Sequence, residues 1–361
     1  MDIFAGKSSL ASAIPRIVDW YRKNRRSVPW RDAPTPYGIW ISEIMLQQTR
    51  ISAVIPYYLR FMSELPDVAS LAAVSDERLM KLWEGLGYYS RARNLKKAAV
   101  TLTEKHGGML PASYEELRAL PGIGDYTAGA IASIAFGLPS PAVDGNVLRV
   151  VMRYLGEYDD IAKASTKAEV TRLLASIYPT GKDASDLTEG IMELGEAVCL
   201  PNGAPLCDAC PIKDDCRARI DALTDELPIK AQKKARAVEK KAVLLLRCKN
   251  KFAIRKRPDT GLLAGLWEFP TVSLDADFSL ADVLSELGIA ATDATAAMDA
   301  VHVFSHVEWH MTGFDITCAK EASAFTWITR NELVDTYALP SAFRAYRSYI
   351  LESAAQDPTE T

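Results

Sequence analysis

The apolar residues of this chain keep a helical period up to about residue 220 and then lose it. Leu10, Ile14, Ile17, Val18 and Tyr21 recur at helical spacing, as do Ile41, Ile44 and Met45 and, further on, Leu173, Leu174 and Ile177. Ser113 and Glu116 have capping-box spacing and predict a helix start, with Pro121 ending that helix. Beyond residue 220 the pattern turns β-rich over Ala242 to Arg247, Phe252 to Arg255 and Val301 to Thr317, with a helix expected over Leu280 to Leu287. At roughly 150 residues per domain the length suits two domains, perhaps three. The simplest parse is a multi-domain α plus α/β chain. An all-α domain covers 1–222, a basic linker with Lys230, Lys233, Lys234, Arg236 and Lys240 covers 223–240, and an α/β domain covers 241–355. No internal repeat and no low-complexity tract interrupts this parse.

Four cysteines, Cys199, Cys207, Cys210 and Cys216, are separated by gaps of seven, two and five residues. Six cysteines in all are too few for a disulfide scaffold in a chain this long. In a reducing compartment the cluster reads as a metal site. Structural zinc sites usually pair two Cys-x-x-Cys knuckles across a longer loop, and only one knuckle is present. A [4Fe–4S] cluster is therefore favoured over zinc. Cys248 and Cys318 stand alone in β-patterned segments and are expected to be buried small hydrophobes. No apolar run approaches the roughly 20 residues of a membrane span. Met1 to Ser12 lacks the apolar core and cleavage site of a signal peptide. A cytoplasmic protein with no membrane partner is expected.

Three further segments carry chemistry. Leu120-Pro-Gly-Ile-Gly-Asp-Tyr-Thr-Ala128 joins two expected helices. Gly122 and Gly124 permit a tight turn whose N–H groups, at a helix N-terminus, can hold a phosphate without side-chain charge. An ordinary interhelical turn is the alternative. Asp144 follows in a stretch rich in glycine and proline, either as a turn former or as a carboxylate working on an anionic, sugar-containing substrate. Between Pro36 and Thr49 the single charged residue is Glu43, sharing a helical face with Ile39, Trp40, Leu46 and Gln47. A carboxyl among apolar neighbours can be held protonated, as a general acid requires; the alternative is a buried ion pair with a nearby arginine. Arg25 to Arg31 and Gly85 to Asn94 interleave basic and aromatic residues, which suits phosphate contact and base stacking. Tyr89 reads as a core residue more readily than Tyr88, which lies beside two glycines.

The hairpin, the aspartate loop and the trailing cysteines together resemble the helix-hairpin-helix DNA glycosylase superfamily. Val28-Pro-Trp30, Ser42-Glu-Ile-Met-Leu-Gln-Gln-Thr49 and Gly85-Leu-Gly-Tyr-Tyr-Ser90 resemble the adenine DNA glycosylases of the MutY type, over nearly the whole chain. The resemblance implies an all-α helix-hairpin-helix glycosylase domain with an iron–sulfur cluster loop, followed by a Nudix-like domain that recognises 8-oxoguanine. It implies a base excision repair enzyme that flips out adenine mispaired with 8-oxoguanine or guanine and hydrolyses its N-glycosidic bond. Glu43 would protonate a ring nitrogen of adenine, and Asp144 would stabilise or transiently bond the cationic sugar carbon. Tyr126 and Asn146 would orient that pair, in parallel with glycoside hydrolysis. Arg26, Val28, Trp30, Arg31, Glu189 and Met192 match the family's adenine pocket. Gln48, Thr49, Leu86 and Tyr88 match positions around 8-oxoguanine, and Gly122 and Gly124 match the DNA-binding hairpin. Phe304, Ser305 and His306 lie in His302 to His306, which with Gly261 to Pro270 matches the recognisable pieces of the family's C-terminal domain, and Ser305 and His306 would touch the oxidised base. Cys199, Cys207, Cys210 and Cys216 would hold the cluster, with one residue more than the family's usual six between the first two.

Position 126 bears on the reaction, because endonuclease III-like relatives carry a lysine there that forms a Schiff base. Tyr126 offers no amine, so a monofunctional enzyme is expected; a glycosylase/lyase and a non-catalytic lesion-binding protein are the alternatives. Asp282 and Glu286 alone do not make the glutamate-rich helix of a Nudix hydrolase, so hydrolysis by that domain is not expected. His302, His306 and His310, read as four apart on one strand, would stand roughly 13 Å from one another in sequence order, too far for one ion. The expected partners are duplex DNA with the adenine:8-oxoguanine mispair and repair proteins through the linker. A monomer is expected, associated with the nucleoid in a prokaryote. The formal net charge of −4 excludes a non-specific nucleic-acid coat. That sum hides an uneven spread: basic residues gather in 16–31, 81–105 and 230–257, whereas 271–300 holds six acids and no base.

Overall fold

The computed structural model describes residues 3–231 and 235–352; Lys233 and Lys234 of the expected linker, and 353–355 of the expected C-terminal domain, lie outside them. Contacts divide the chain into two units, Met1–Ala73 with Arg93–Gln232 and Val74–Ala92 with Lys233–Thr361. This corrects the expected division in two places. The first strand begins at Ala237, inside the span read as linker; its first four residues are exposed, so no apolar alternation marks them. Residues 74–92 group with the C-terminal unit although residues 93–236 separate them from its first strand in the sequence, which no local pattern can reveal.

The first unit is helical. Its elements are α1 (Lys7–Asn24), α2 (Pro29–Asp32), α3 (Pro36–Leu46), α4 (Ile51–Glu64) and α5 (Val68–Ala73). After α6 (Asp76–Trp83), which belongs to the other unit, follow α7 (Ser90–Lys105), α8 (Tyr114–Arg118), α9 (Asp125–Phe136), α10 (Gly145–Leu155), α11 (Ala164–Ala175), α12 (Lys182–Ala197) and α13 (Arg217–Ile220). The apolar stripes anticipated in α1 and α11 meet those of α10 and α12. Leu10, Ile14 and Ile17 pack with Val147, Val150, Val151, Leu173, Leu187 and Ile191 in one core. Ser113 caps α8, accepting from the Glu116 N–H, and the helix ends before Pro121. Helix α3 differs from an amphipathic surface helix: every residue from Tyr37 to Met45 is buried. Glu43 therefore belongs to a helix buried on every face rather than to one apolar stripe.

The second unit carries a seven-stranded mixed sheet of β1 (Ala237–Cys248), β2 (Lys251–Lys256), β3 (Trp267–Glu268), β4 (Thr271–Ser273), β5 (Ala291–Val303), β6 (Val307–Cys318) and β7 (Thr326–Ile328). Helices α14 (Leu280–Glu286), α15 (Arg330–Asp335) and α16 (Arg344–Glu352) complete it. Strand order is β3-β2-β1-β6-β5, with β1 and β6 parallel. Residues 242–246 of β1 form a continuous apolar run because both faces of the sheet are covered. Val243 and Leu245 face a core shared with Phe343, Tyr346 and Ile350, while Leu244 and Leu246 face Leu284 and Ile289. Cys248 and Cys318 are buried in that second core, as expected.

The run from Val301 to Thr317 is a hairpin rather than one strand. β5 and β6 pair antiparallel through His302↔Trp309 and Val301↔His310, with Phe304, Ser305 and His306 at the turn. His302, His306 and His310 thus lie on two strands and the turn between them rather than on one strand. Among the described residues, no helix is long and apolar enough to cross a membrane.

Candidate active site

Glu43 and Tyr126 meet between α3 and α9. The Tyr126 Oη donates to Glu43 Oε2 at 3.0 Å and also approaches Met192 Sδ at 3.6 Å. Burial raises the Glu43 carboxyl from 4.5 to about 7; the Tyr126 hydrogen bond opposes this, while the negative charges of Glu189 and Asp144 add to it. The buried ion pair that would keep Glu43 ionised is not found among the described residues. Arg31 instead pairs with Glu189 (Nε to Oε1, 2.8 Å) and Glu193 (Nη1 to Oε2, 2.9 Å). At neutral pH Glu43 is thus poised between its two protonation states, as a general acid must be.

Asp144 is the N-cap of α10. One of its oxygens accepts from the Asn146 and Val147 N–H groups at 2.9 and 2.8 Å, and the other from Asn146 Nδ2 at 2.9 Å. Burial raises its pKa, and those three donors oppose the rise by favouring the carboxylate. Gly195 of α12 lets α10 approach closely, since a Cβ there would lie 2.6 Å from Asn146 Cβ. Arg149 sits beneath this cap and donates to Asn146 Oδ1 at 2.8 Å and to the backbone oxygens of Gly195 and Cys199, each at 2.5 Å. Arg149 is not singled out by the sequence, because only the folded chain buries it.

A cleft of about 430 Å³ opens beside Glu43, with Trp30, Arg31, Ile39, Ser42 and Glu189 among its lining residues. Tyr21, read from the sequence as a core residue, donates to Glu189 at 2.8 Å and lies under the Arg31 guanidinium. Tyr21 and Glu193 thereby lock Arg31 and Glu189 in place, and neither was singled out by sequence. Three expected pocket residues are not among those lining the cleft: Arg26, Val28 and Met192, the last of which meets Tyr126 instead. Arg26 is engaged by Glu193 and Glu196, and Val28 is buried as the N-cap residue of α2.

The turn before α9 has the expected form. Gly122 has φ 77°, and a Cβ there would lie 2.5 Å from Asn94 Cβ, so glycine is required twice over. Gly124 caps α9 and has nothing within 4 Å of where a Cβ would stand, which leaves the helix N-terminus open to an anion. Gln48, downstream of α3, holds a left-handed φ of 59°.

The four cysteines line one small cavity walled by Val150, Leu194 and Ile212. The seven-residue stretch after Cys199 loops out through exposed Pro201 to Ala204 and is closed by Leu206 N–H donating to Val198 O at 2.9 Å, which returns Cys207 to the cavity. Among the described residues, no three Cys, His, Asp or Glu side chains converge closely enough for a single metal ion. Four cysteine thiols lining one cavity are a donor set of the kind that can hold a metal centre. Burial pushes the Cys210 thiol up to about 11.

In the second unit Tyr88 is exposed and Tyr89 buried. Tyr88 Oη lies 2.8 Å from Ser305 Oγ, which joins the 85–90 loop to the β5–β6 turn. The Phe304 ring packs edge-on against Trp309 and His302. In α14, Asp282 and Glu286 are the acidic residues.

Comparison with known proteins agrees with this geometry. Residues 41–179 match the model of the HhH-GPD superfamily of base excision DNA repair proteins, and 242–348 match a NUDIX domain. An adenine DNA glycosylase of Rattus norvegicus is 31% identical over 96% of this chain and 80% of its own length. Those of Homo sapiens and of Buchnera aphidicola (from Acyrthosiphon pisum) are each 32% identical, over 92% and 82% of this chain and 73% and 83% of their own. Among solved structures, a thermostable thymine-DNA glycosylase superposes with a TM-score of 0.52 at 27% identity, covering 60% of this chain and 98% of that one. A non-covalent endonuclease III–DNA complex superposes with a TM-score of 0.51 at 25% identity, with the same coverage.

Proposed function

The chain belongs to the adenine DNA glycosylase family of base excision repair, and we propose that its substrate is adenine mispaired with 8-oxoguanine, removed without strand cleavage. The observation that carries the chemistry is Glu43: buried, bonded to Tyr126 and titrating near 7. A flipped adenine in the adjoining cleft receives the Glu43 proton on a ring nitrogen, which makes the base a neutral leaving group. As the bond to C1′ breaks, positive charge develops on the sugar. Asp144, whose three donors favour its carboxylate form against the effect of burial, stabilises that charge from the α10 cap. Water then completes the hydrolysis and leaves an abasic site. Tyr126 orients Glu43 and carries no amine for a Schiff base, which supports monofunctional action. Arg31, Glu189 and Trp30 surround the base, with Arg26, Val28 and Met192 outside that lining.

Cys199, Cys207, Cys210 and Cys216 would hold a [4Fe–4S] cluster, which supplies a rigid cross-link for the loop after α12. Gly122 and Gly124 hold a DNA phosphate. Gln48, Thr49, Leu86, Tyr88, Phe304, Ser305 and His306 engage the 8-oxoguanine side of the mispair. The enzyme acts as a monomer in the cytoplasm, on the nucleoid if the source is a prokaryote, and meets other repair proteins through the stretch before β1.

The test is alkaline cleavage of a duplex holding one adenine opposite 8-oxoguanine, with Glu43→Ala alongside. Cleavage by the wild type and none by the variant is expected. Equal activity in both would remove the general-acid role, and activity in neither would favour a lesion-binding protein.

A further inference from the structure

We propose that Glu84 is a positioning residue that latches the Tyr88 loop to the C-terminal unit and so sets the preference for 8-oxoguanine opposite adenine. The specificity half of this inference rests on the reading of that unit given above. The loop is internally stiff but strained: Gly85, Gly87 and Tyr88 have φ of 102°, 70° and 47°, and the last is costly for a residue with a side chain. Trp83 Nε1 donates to Gly87 O at 3.1 Å, and Arg91 Nη2 donates to the Leu86 and Gly87 oxygens at 3.0 and 3.1 Å. The Arg91 guanidinium also lies over the Tyr88 ring. These bonds shape the loop, yet none fixes its direction relative to the β5–β6 turn that carries Ser305.

Glu84, the residue just before Gly85, does so. Its Oε1 accepts from the Leu339 N–H at 2.9 Å and from Arg347 Nη1 at 3.2 Å, and its Oε2 pairs with Lys81 Nζ at 2.8 Å. Lys81 Nζ in turn reaches the backbone oxygens of Tyr337 (3.2 Å) and Leu333 (3.5 Å), around the end of α15. The Lys81 and Glu84 side chains are only 12% and 13% exposed. An acid serving solubility at the end of a short helix would face solvent; this one is enclosed and holds donors from two separate segments of the C-terminal unit. The loop is therefore pinned at its start by Glu84 and at its tip by the Tyr88–Ser305 bond. Glu84 takes no part in the chemistry at Glu43 and Asp144.

The experiment measures single-turnover excision of adenine opposite 8-oxoguanine and opposite guanine for the full chain and its Glu84→Ala and Glu84→Gln variants, together with amide hydrogen exchange over 85–90. Glu84→Ala should slow excision opposite 8-oxoguanine by about ten-fold, the order expected for a small misplacement of a contact group, while excision opposite guanine is retained. Glu84→Gln, which keeps an acceptor for Leu339 but loses the charge, should fall between. Exchange over 85–90 should quicken in the same order. Equal slowing on both duplexes, or unchanged exchange, would overturn the proposal. A wild type with no preference for 8-oxoguanine would overturn the reading of the C-terminal unit instead, and the exchange measurement would still decide whether Glu84 is a latch.

Discussion

Glu43 shows how one buried carboxyl trades stability for reactivity. In the unfolded chain it titrates near 4.5 and in the folded enzyme near 7, so between these values the folded state holds the extra proton. Its contribution is unfavourable once it must ionise: stability falls as pH rises through that window. At 1.36 kcal/mol per tenfold in proton affinity, the cost is capped at about 3 kcal/mol. Glu43→Gln should therefore gain stability relative to the wild type as pH rises from about 5 to about 8, read from urea midpoints; a constant difference would remove the raised pKa. The same variant should lose about 100- to 10,000-fold in excision rate, the range typical of general acids. The wild-type rate should decline on the alkaline side of about pH 7, where Glu43 gives up its proton; a flat alkaline limb in single-turnover kinetics would count against it.

At the scale of elements, the N-terminus of α10 serves two purposes through one side chain. Asp144 caps the helix and, in the proposed reaction, faces the sugar, and these roles separate by substitution. Asn caps about as well as Asp, so Asp144→Asn should keep stability to within about 0.5 kcal/mol yet abolish excision. Asp144→Ala should lose about 1 kcal/mol in addition, measured by chemical denaturation. Parallel losses of stability in both variants would mean that the carboxylate matters chiefly to the fold. The turn before α9 offers a second case. Gly122→Ala meets both a left-handed φ and Asn94, so DNA affinity by fluorescence anisotropy should weaken by roughly ten-fold or more through loss of the N–H cradle. The same helix carries Tyr126, where Tyr126→Lys should introduce strand scission on abasic DNA; absence of scission would weaken the assignment of that position.

Across the whole molecule, the cysteine cavity makes a compositional claim. Purified protein should carry about four irons per chain with broad visible absorption, and Cys210→Ser should lose both. Stoichiometric zinc without iron would overturn the cluster. Much of the helical unit was legible in advance, because buried helices leave a 3.6-residue stripe: Leu10, Ile14 and Ile17 in α1 and Leu173 and Leu174 in α11 were all found in the core. The second unit was less legible. The β5–β6 hairpin read as one run because Phe304 to His306 lack a glycine or proline turn signal, and exposed Ala291 to Ala296 carry no apolar alternation.

What sequence alone determined were the parts whose chemistry lies within a few residues: the cysteine knuckle, the glycine turn before α9, the glycine-rich loop that carries Asp144 and the lone acid of α3. Each depends on local backbone geometry or on residue type, and both are written in adjacent positions. The tertiary structure decided the parts built from distance. It buried α3 on every face around Glu43, brought Tyr126 across to it and left Arg31 to Glu189 and Glu193. It buried Arg149 beneath the Asp144 cap and carried residues 74–92 to the C-terminal unit. A carboxyl's proton affinity is set by the water removed and the charges gathered around it, and only the folded chain brings those neighbours together.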